Sequence, residues 1–153
     1  MSLAAVAGER PRLQCQWKLA GPVAGTGPVV TAFTLTNRGP ATVHVLEWAT
    51  PFEGWLSPYV EVLYQGQVLA YGGAAVKRGD PARVEYLALG PGRRRSVKID
   101  LAQAFDLSRP GTYELRPRLA LHDAYSGPPQ PPRPRSQHQP LPLECPGLAF
   151  TRP

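Results

Sequence analysis

The run Leu107-Ser108-Arg109-Pro110-Gly111-Thr112-Tyr113-Glu114-Leu115 sets a Pro-Gly turn directly ahead of an alternating stretch in which Tyr113 and Leu115 share one face. Alternation with period two is the mark of a half-buried strand. A tyrosine just past such a corner can send its hydroxyl back to the backbone upstream and lock the crossing between two packed sheets. The expectation is a β-sandwich, an architecture that offers loops for binding more readily than a deep catalytic cleft.

The rest of the chain repeats that pattern. Leu13, Cys15, Trp17 and Leu19 alternate with Gln14, Gln16 and Lys18, so this stretch reads as a strand. Val29 to Thr36 and Thr42 to Trp48 read as two more, paired as a hairpin across Asn37-Arg38-Gly39-Pro40. Tyr59 to Tyr64 and Gln67 to Tyr71 form a second hairpin across Gln65-Gly66. Arg83 to Leu89 and Arg95 to Leu101 are joined across Gly90-Pro91-Gly92, and a long strand runs from Thr112 to Leu121. A total of 19 prolines and 15 glycines suits such a turn-rich, all-β chain. Seven of the prolines crowd into residues 126–142, a stretch too poor in apolar side chains to build core and expected to be a mobile or polyproline-like excursion. Residues 1–11 read as a flexible arm, and residues 12–153 as one immunoglobulin-like antiparallel sandwich. Phe33, Leu35, Val97, Ile99, Tyr113 and Leu115 are its expected core positions.

The segment order resembles a known family. Phe33-Thr34-Leu35-Thr36-Asn37 is followed by Val45-Leu46-Glu47-Trp48-Ala49-Thr50-Pro51-Phe52-Glu53-Gly54 and Val76-Lys77-Arg78. Tyr86-Leu87-Ala88-Leu89-Gly90-Pro91-Gly92, Val97-Lys98-Ile99-Asp100-Leu101, Ala104-Phe105-Asp106-Leu107 and Pro110-Gly111-Thr112-Tyr113 complete the set. Together, over roughly residues 29–121, they resemble the non-catalytic N-terminal region of deuterolysin-type (peptidyl-Lys-type) zinc metallopeptidases. A weaker resemblance is to the Ig-like intracellular proteinase inhibitors of bacilli. Those peptidases carry His-Glu-x-x-His in a separate catalytic domain, and this chain has no such motif. The resemblance therefore implies the accessory fold without the protease.

Catalytic constellations are missing from the sequence as well. Zinc takes three or four His, Cys or carboxylate ligands at workable spacing, whereas His44, His122 and His138 are scattered. His44 reads as an ordinary strand residue, and His122-Asp123 as a solvated loop pair. There is no Gly-x-Ser-x-Gly elbow, and Gly90-Pro91-Gly92 lacks the Lys-Ser/Thr of a phosphate loop. No metal, no cofactor and no enzymatic activity are expected. Cys15 and Cys145 are either one disulfide closing a very long loop or two buried thiols.

A net charge of +6 bears on solubility and non-specific attraction more than on function. The densest basic run, Arg93-Arg94-Arg95, lacks the interleaved aromatics of a nucleic-acid surface and reads as a solvated hairpin end or as rim charges for an acidic protein partner. No apolar run is long enough to cross a membrane as a helix. The start is short and without a basic n-region, so it does not read as a signal peptide, and the compartment stays open between the cytoplasm and a secreted or periplasmic location. The best binding candidates are Pro51, Phe52 and Trp55 in one loop, with Lys77 and Arg78 in the next. The same rings could instead cover the end of the core. The expected function is protein binding, to a zinc metallopeptidase as inhibitor, chaperone or detached prodomain-like module. The alternative is a structural or surface-adhesion module.

Overall fold

The computed structural model describes residues 10–153, so all but the end of the expected amino-terminal arm lies outside the described residues. The fold is all-β and antiparallel, a single immunoglobulin-like sandwich. Strand β1 (Leu13–Leu19) pairs with β2 (Val30–Asn37), aligning Trp17 with Phe33 and Cys15 with Leu35. Further along are β3 (Val43–Leu46), β4 (Val60–Tyr64), β5 (Gln67–Val68), β6 (Tyr86–Leu89) and β7 (Arg94–Asp100). Then come β8 (Gly111–Pro117), β9 (Ala120–Leu121), β10 (Ala124–Ser126), β11 (Leu141–Pro142) and β12 (Leu148–Arg152). The sheet orders are β1-β2-β7, β10-β3-β6, β11-β9 and β12-β8-β4-β5.

Alternation decides which side chains meet. Cys15, Trp17, Phe33 and Leu35 from one sheet join Val62, Tyr113, Leu115 and Phe150 from another in a single buried cluster, and Ile99 is buried outside that cluster. Val97 is only half-buried because β7 is the outer strand of its sheet. A disulfide between Cys15 and Cys145, with Cα atoms 5.2 Å apart, ties β1 to the segment leading into β12.

The corner ahead of β8 is held as its sequence implies. The Tyr113 hydroxyl donates to the carbonyl of Arg109 at 2.6 Å, and its ring stacks on Phe150 at 5.3 Å. Tyr64, 4.8 Å from Tyr113 between ring centroids, donates its own hydroxyl to the Pro110 carbonyl at 2.6 Å, and the Arg109 guanidinium covers it at 4.2 Å. The β4–β5 hairpin turns through Gln65 and Gly66, both at positive φ, as a two-residue turn matched to strand twist requires.

Two expected connections differ. β2 and β3 do not form a hairpin, and neither do β6 and β7. The β2–β7 ladder instead continues past a bend as the β3–β6 ladder, so the four strands make one bent ribbon. The cause is Asn37. Its buried amide donates to the carbonyls of Ala41 (2.8 Å) and Leu89 (2.9 Å) and accepts from the Gly39 N–H, satisfying the backbone where the ladder breaks. The stretch 83–85 is a turn of 3-10 helix rather than strand.

The proline-rich stretch also differs from a free excursion. Pro134 and His138 have polyproline-like backbone angles. The segment is nevertheless tethered, through Arg133 to Asp123, through Arg135 to Asp80 and Arg78, and through the pairing of β11 with β9. Asp123, which reads as solvated in the sequence, is completely buried.

Candidate functional site

The loop that follows β3 is set by local hydrogen bonds. The Thr50 hydroxyl donates to the Glu47 carbonyl at 2.7 Å and accepts from the Phe52 N–H at 3.2 Å, capping one turn of 3-10 helix over Pro51–Glu53. Pro51 at its start is buried. Phe52 meets Phe33 edge-on at 5.5 Å. Trp55 stacks flat on Tyr59 at 4.6 Å, approaches Phe105 at 5.9 Å and Tyr71 at 6.0 Å, and donates its indole N–H to the Asp100 carbonyl at 2.9 Å. Phe52 and Trp55 therefore pack against the end of the core, with their edges half exposed. Burial pushes the Tyr59 phenol pKa up, so it stays protonated in this stack.

On this platform rests the loop between β5 and β6. Arg78 reaches Glu53 in an ion pair and lies over the Trp48 ring at 5.1 Å. Trp48 is buried and donates its indole N–H to Glu85 at 2.7 Å. Glu85 is held below the usual carboxylate range by the Ala82 N–H and by Trp48. Lys77 is exposed and makes no ion pair among the described residues, and Val76 beside it is 42% exposed. The structure thus places Arg78 against the Pro51–Trp55 loop and sets Lys77 outside it. Arg93, Arg94 and Arg95 are exposed at the bend of the ribbon and on β7, and they do not line this region.

A cleft of about 510 Å³ opens here, lined by Ser57, Val76, Lys77, Arg78, His122 and Arg135 among others. His122 meets Trp48 edge-on at 6.0 Å, and His138 meets the same ring at 5.6 Å. Burial lowers the His122 pKa, and the neighbouring His138, Arg135 and Arg78 lower it further against an opposing pull from Glu53. The imidazole is therefore neutral near pH 7. Arg135 donates from its guanidinium to the Arg78 carbonyl at 2.9 Å, and its N–H donates to Asp80 at 2.9 Å. Ser57, His122 and Arg135 went unrecognised in the sequence because they sit in three loops separated by whole strands, with no local pattern to join them.

Arg135 is carried here by a clamp. Arg133 makes a forked pair with Asp123, Nε to one carboxylate oxygen at 2.9 Å and Nη2 to the other at 2.5 Å. Tyr86 donates its hydroxyl to Asp123 at 2.7 Å, and Gln139 donates its N–H at 3.0 Å. Burial alone would raise the Asp123 pKa. The donors from Arg133, Tyr86 and Gln139 outweigh it and hold the carboxyl below its ordinary value. Among the described residues, no three His, Cys, Asp or Glu side chains gather in a way that could hold a metal ion.

No family model matches the chain. It is 33% identical over 91 residues to an extracellular protease of Aeromonas hydrophila, a match that covers 60% of this chain and 26% of that protein. Among solved structures, the CARDB domain of a Pyrococcus furiosus protein, in complex with di-metal ions, aligns over 91% of both chains at 12% identity with a TM-score of 0.34, too loose a superposition to transfer anything. The chain is thus an all-β module whose sequence is similar in part to an extracellular protease.

Proposed function

We propose that this chain is a non-catalytic protein-binding module that engages a deuterolysin-type zinc metallopeptidase. It acts as an inhibitor, a folding chaperone or a detached prodomain-like partner by covering the enzyme's cleft. The observation that carries this reading is the loop end of the sandwich, where an exposed basic and apolar edge is fixed on a rigid aromatic platform. Occlusion of this kind needs shape and anchoring from this chain and no chemistry. Pro51, Phe52 and Trp55 hold the surface from beneath, while Lys77 and Arg78 meet the partner. Arg93, Arg94 and Arg95 act as rim charges that set association rate and salt dependence. The similarity to the Aeromonas protease supports a peptidase context, since it covers most of this chain and only 26% of that protein. The Cys15–Cys145 bond supports an oxidising compartment.

The test mixes the purified chain with a deuterolysin-type peptidase. Complex formation is followed by calorimetry, and hydrolysis of a peptide substrate by fluorescence. The expected result is a stoichiometric complex with loss of hydrolysis, or a higher yield of active enzyme on refolding. Lys77→Ala weakens the complex, whereas Phe52→Ala and Trp55→Ala act mainly by lowering the melting temperature. No complex, with neither hydrolysis nor refolding affected, overturns the reading in favour of a structural or adhesion module.

A further inference from the structure

We propose that the cleft bounded by Ser57, Lys77, Arg78, His122 and Arg135 is a carboxylate-binding site, which takes an acidic side chain or the chain end of a peptide partner. The proposal rests on the protein-binding reading of this loop end and names the chemistry recognised there. The cleft is rich in donors and poor in acceptors. The Ser57 hydroxyl is buried and has no hydrogen-bond partner among the described residues. A hydroxyl without a partner away from water is costly unless something completes it. The His122 ring makes only edge contact with Trp48 and leaves its N–H free for a ligand. Lys77 has no counter-ion among the described residues, and the Arg135 guanidinium bonds a backbone carbonyl rather than a carboxylate.

The acids nearby do not fill this role. Glu53 accepts from Arg78 and from the Ala49 N–H, Asp80 accepts from the Arg135 N–H, and Glu85 accepts from Trp48 and the Ala82 N–H. None of the three lines the cleft. Burial is the main cause that lowers the His122 pKa, and Arg135 and Arg78 add to it against Glu53. Two cations, a hydroxyl and a neutral imidazole suit a planar, singly charged anion able to accept several hydrogen bonds. Val76 and Pro58 at the margin offer apolar contact for the carbon stem that carries it.

The test uses the intact chain and fluorescein-labelled peptides, read by anisotropy. One peptide has glutamates and an amidated end, a second is neutral with a free carboxyl end, and a third is neutral and amidated. Binding of the first identifies a side-chain source and binding of the second a chain-end source, and either supports the site. Lys77→Ala with Arg135→Ala weakens that binding about tenfold, or about 1.4 kcal/mol. Ser57→Ala weakens it too while leaving the melting temperature unchanged or higher, which a purely structural serine would not do. Lys18→Ala with Lys98→Ala removes the same charge at exposed positions outside the cleft and leaves affinity intact. Equal binding of the neutral amidated peptide, or an equal loss in the Lys18/Lys98 variant, overturns the proposal. So does inorganic phosphate competing better than acetate, which would reassign the cleft to phosphate groups. No peptidase enters this experiment, so its failure is distinct from failure of the occlusion reading.

Discussion

Replacing Arg133 with alanine tests whether the proline-rich segment is held or merely lies where composition would leave it. In the wild type, Asp123 is fully buried and receives two donors from Arg133, one from Tyr86 and one from Gln139. Arg133→Ala removes the fork and leaves a buried carboxylate with the two weaker donors. Removing one partner of a buried pair costs about 3–5 kcal/mol, because the remaining charge is left uncompensated. Two donors stay in place and Arg133 is 18% exposed, so the low end, about 3 kcal/mol, is expected. The linkage has a definite sign. The folded pKa of Asp123 is depressed, so its contribution is complete above the ordinary value of 3.8 and is lost as pH falls from there through the folded pKa. Urea unfolding followed by tryptophan fluorescence measures the cost, and repeating it in steps below pH 5 locates the acid limb. Limited trypsin digestion adds a local readout. Cleavage after Arg135 is slow in the wild type and accelerates in the variant, because the segment then opens without global unfolding. A loss below about 0.5 kcal/mol, the scale of an ordinary surface change, together with an unchanged cleavage rate would refute the reasoning.

Three further outcomes are expected. Tyr113→Phe removes the hydrogen bond to the Arg109 carbonyl and lowers stability by about 1 kcal/mol in chemical denaturation, with the ring packing on Phe150 retained. Reduction of the Cys15–Cys145 bond, 130 residues apart in sequence, costs about 5 kcal/mol by the chain-entropy argument, read as a drop in urea midpoint on adding dithiothreitol. His122 has a folded pKa below its ordinary 6.5, so in the interval beneath 6.5 the unfolded chain takes up a proton that the folded chain refuses. Stability is therefore full above pH 6.5 and falls as pH drops through the folded value, and His122→Gln flattens this limb in melting curves recorded from pH 7.5 to 5.

The legible parts of this fold are those whose causes lie close together in sequence. Tyr113 and Arg109 are four residues apart, so a Pro-Gly corner and the alternation after it suffice to anticipate their bond. The inward faces of β1, β2 and β8 follow from period two alone. The bend at Asn37 is different. Its partner carbonyl on Leu89 is 52 residues away, and an Asn-Arg-Gly-Pro string is equally good chemistry for a tight hairpin. Phe52 and Trp55 read in the sequence as anchors or as a lid, because large rings in a loop satisfy both descriptions and the bond from Trp55 to the Asp100 carbonyl, 45 residues away, leaves no local signal.

The proline-rich segment shows why composition misleads here. Few apolar residues means little hydrophobic reason to dock, and that inference is sound as far as burial goes. What docks the segment is a set of specific contacts, the Arg133–Asp123 fork, the Arg135 bonds and the pairing of β11 with β9, all invisible to any average over residues 126–142. Proline strengthens the arrangement, because a backbone already restricted in φ loses less entropy when it is fixed. A few polar contacts can therefore hold a stretch that a flexible chain of the same polarity would leave free. The consequence reaches the cleft. Arg135 lies two residues beyond Arg133, and its backbone and guanidinium bonds to Asp80 and Arg78 extend the same tether across the loop end. The segment that composition marks as a spare excursion thus bolts a cation into the cleft that also holds the unpartnered Ser57 hydroxyl among its lining residues.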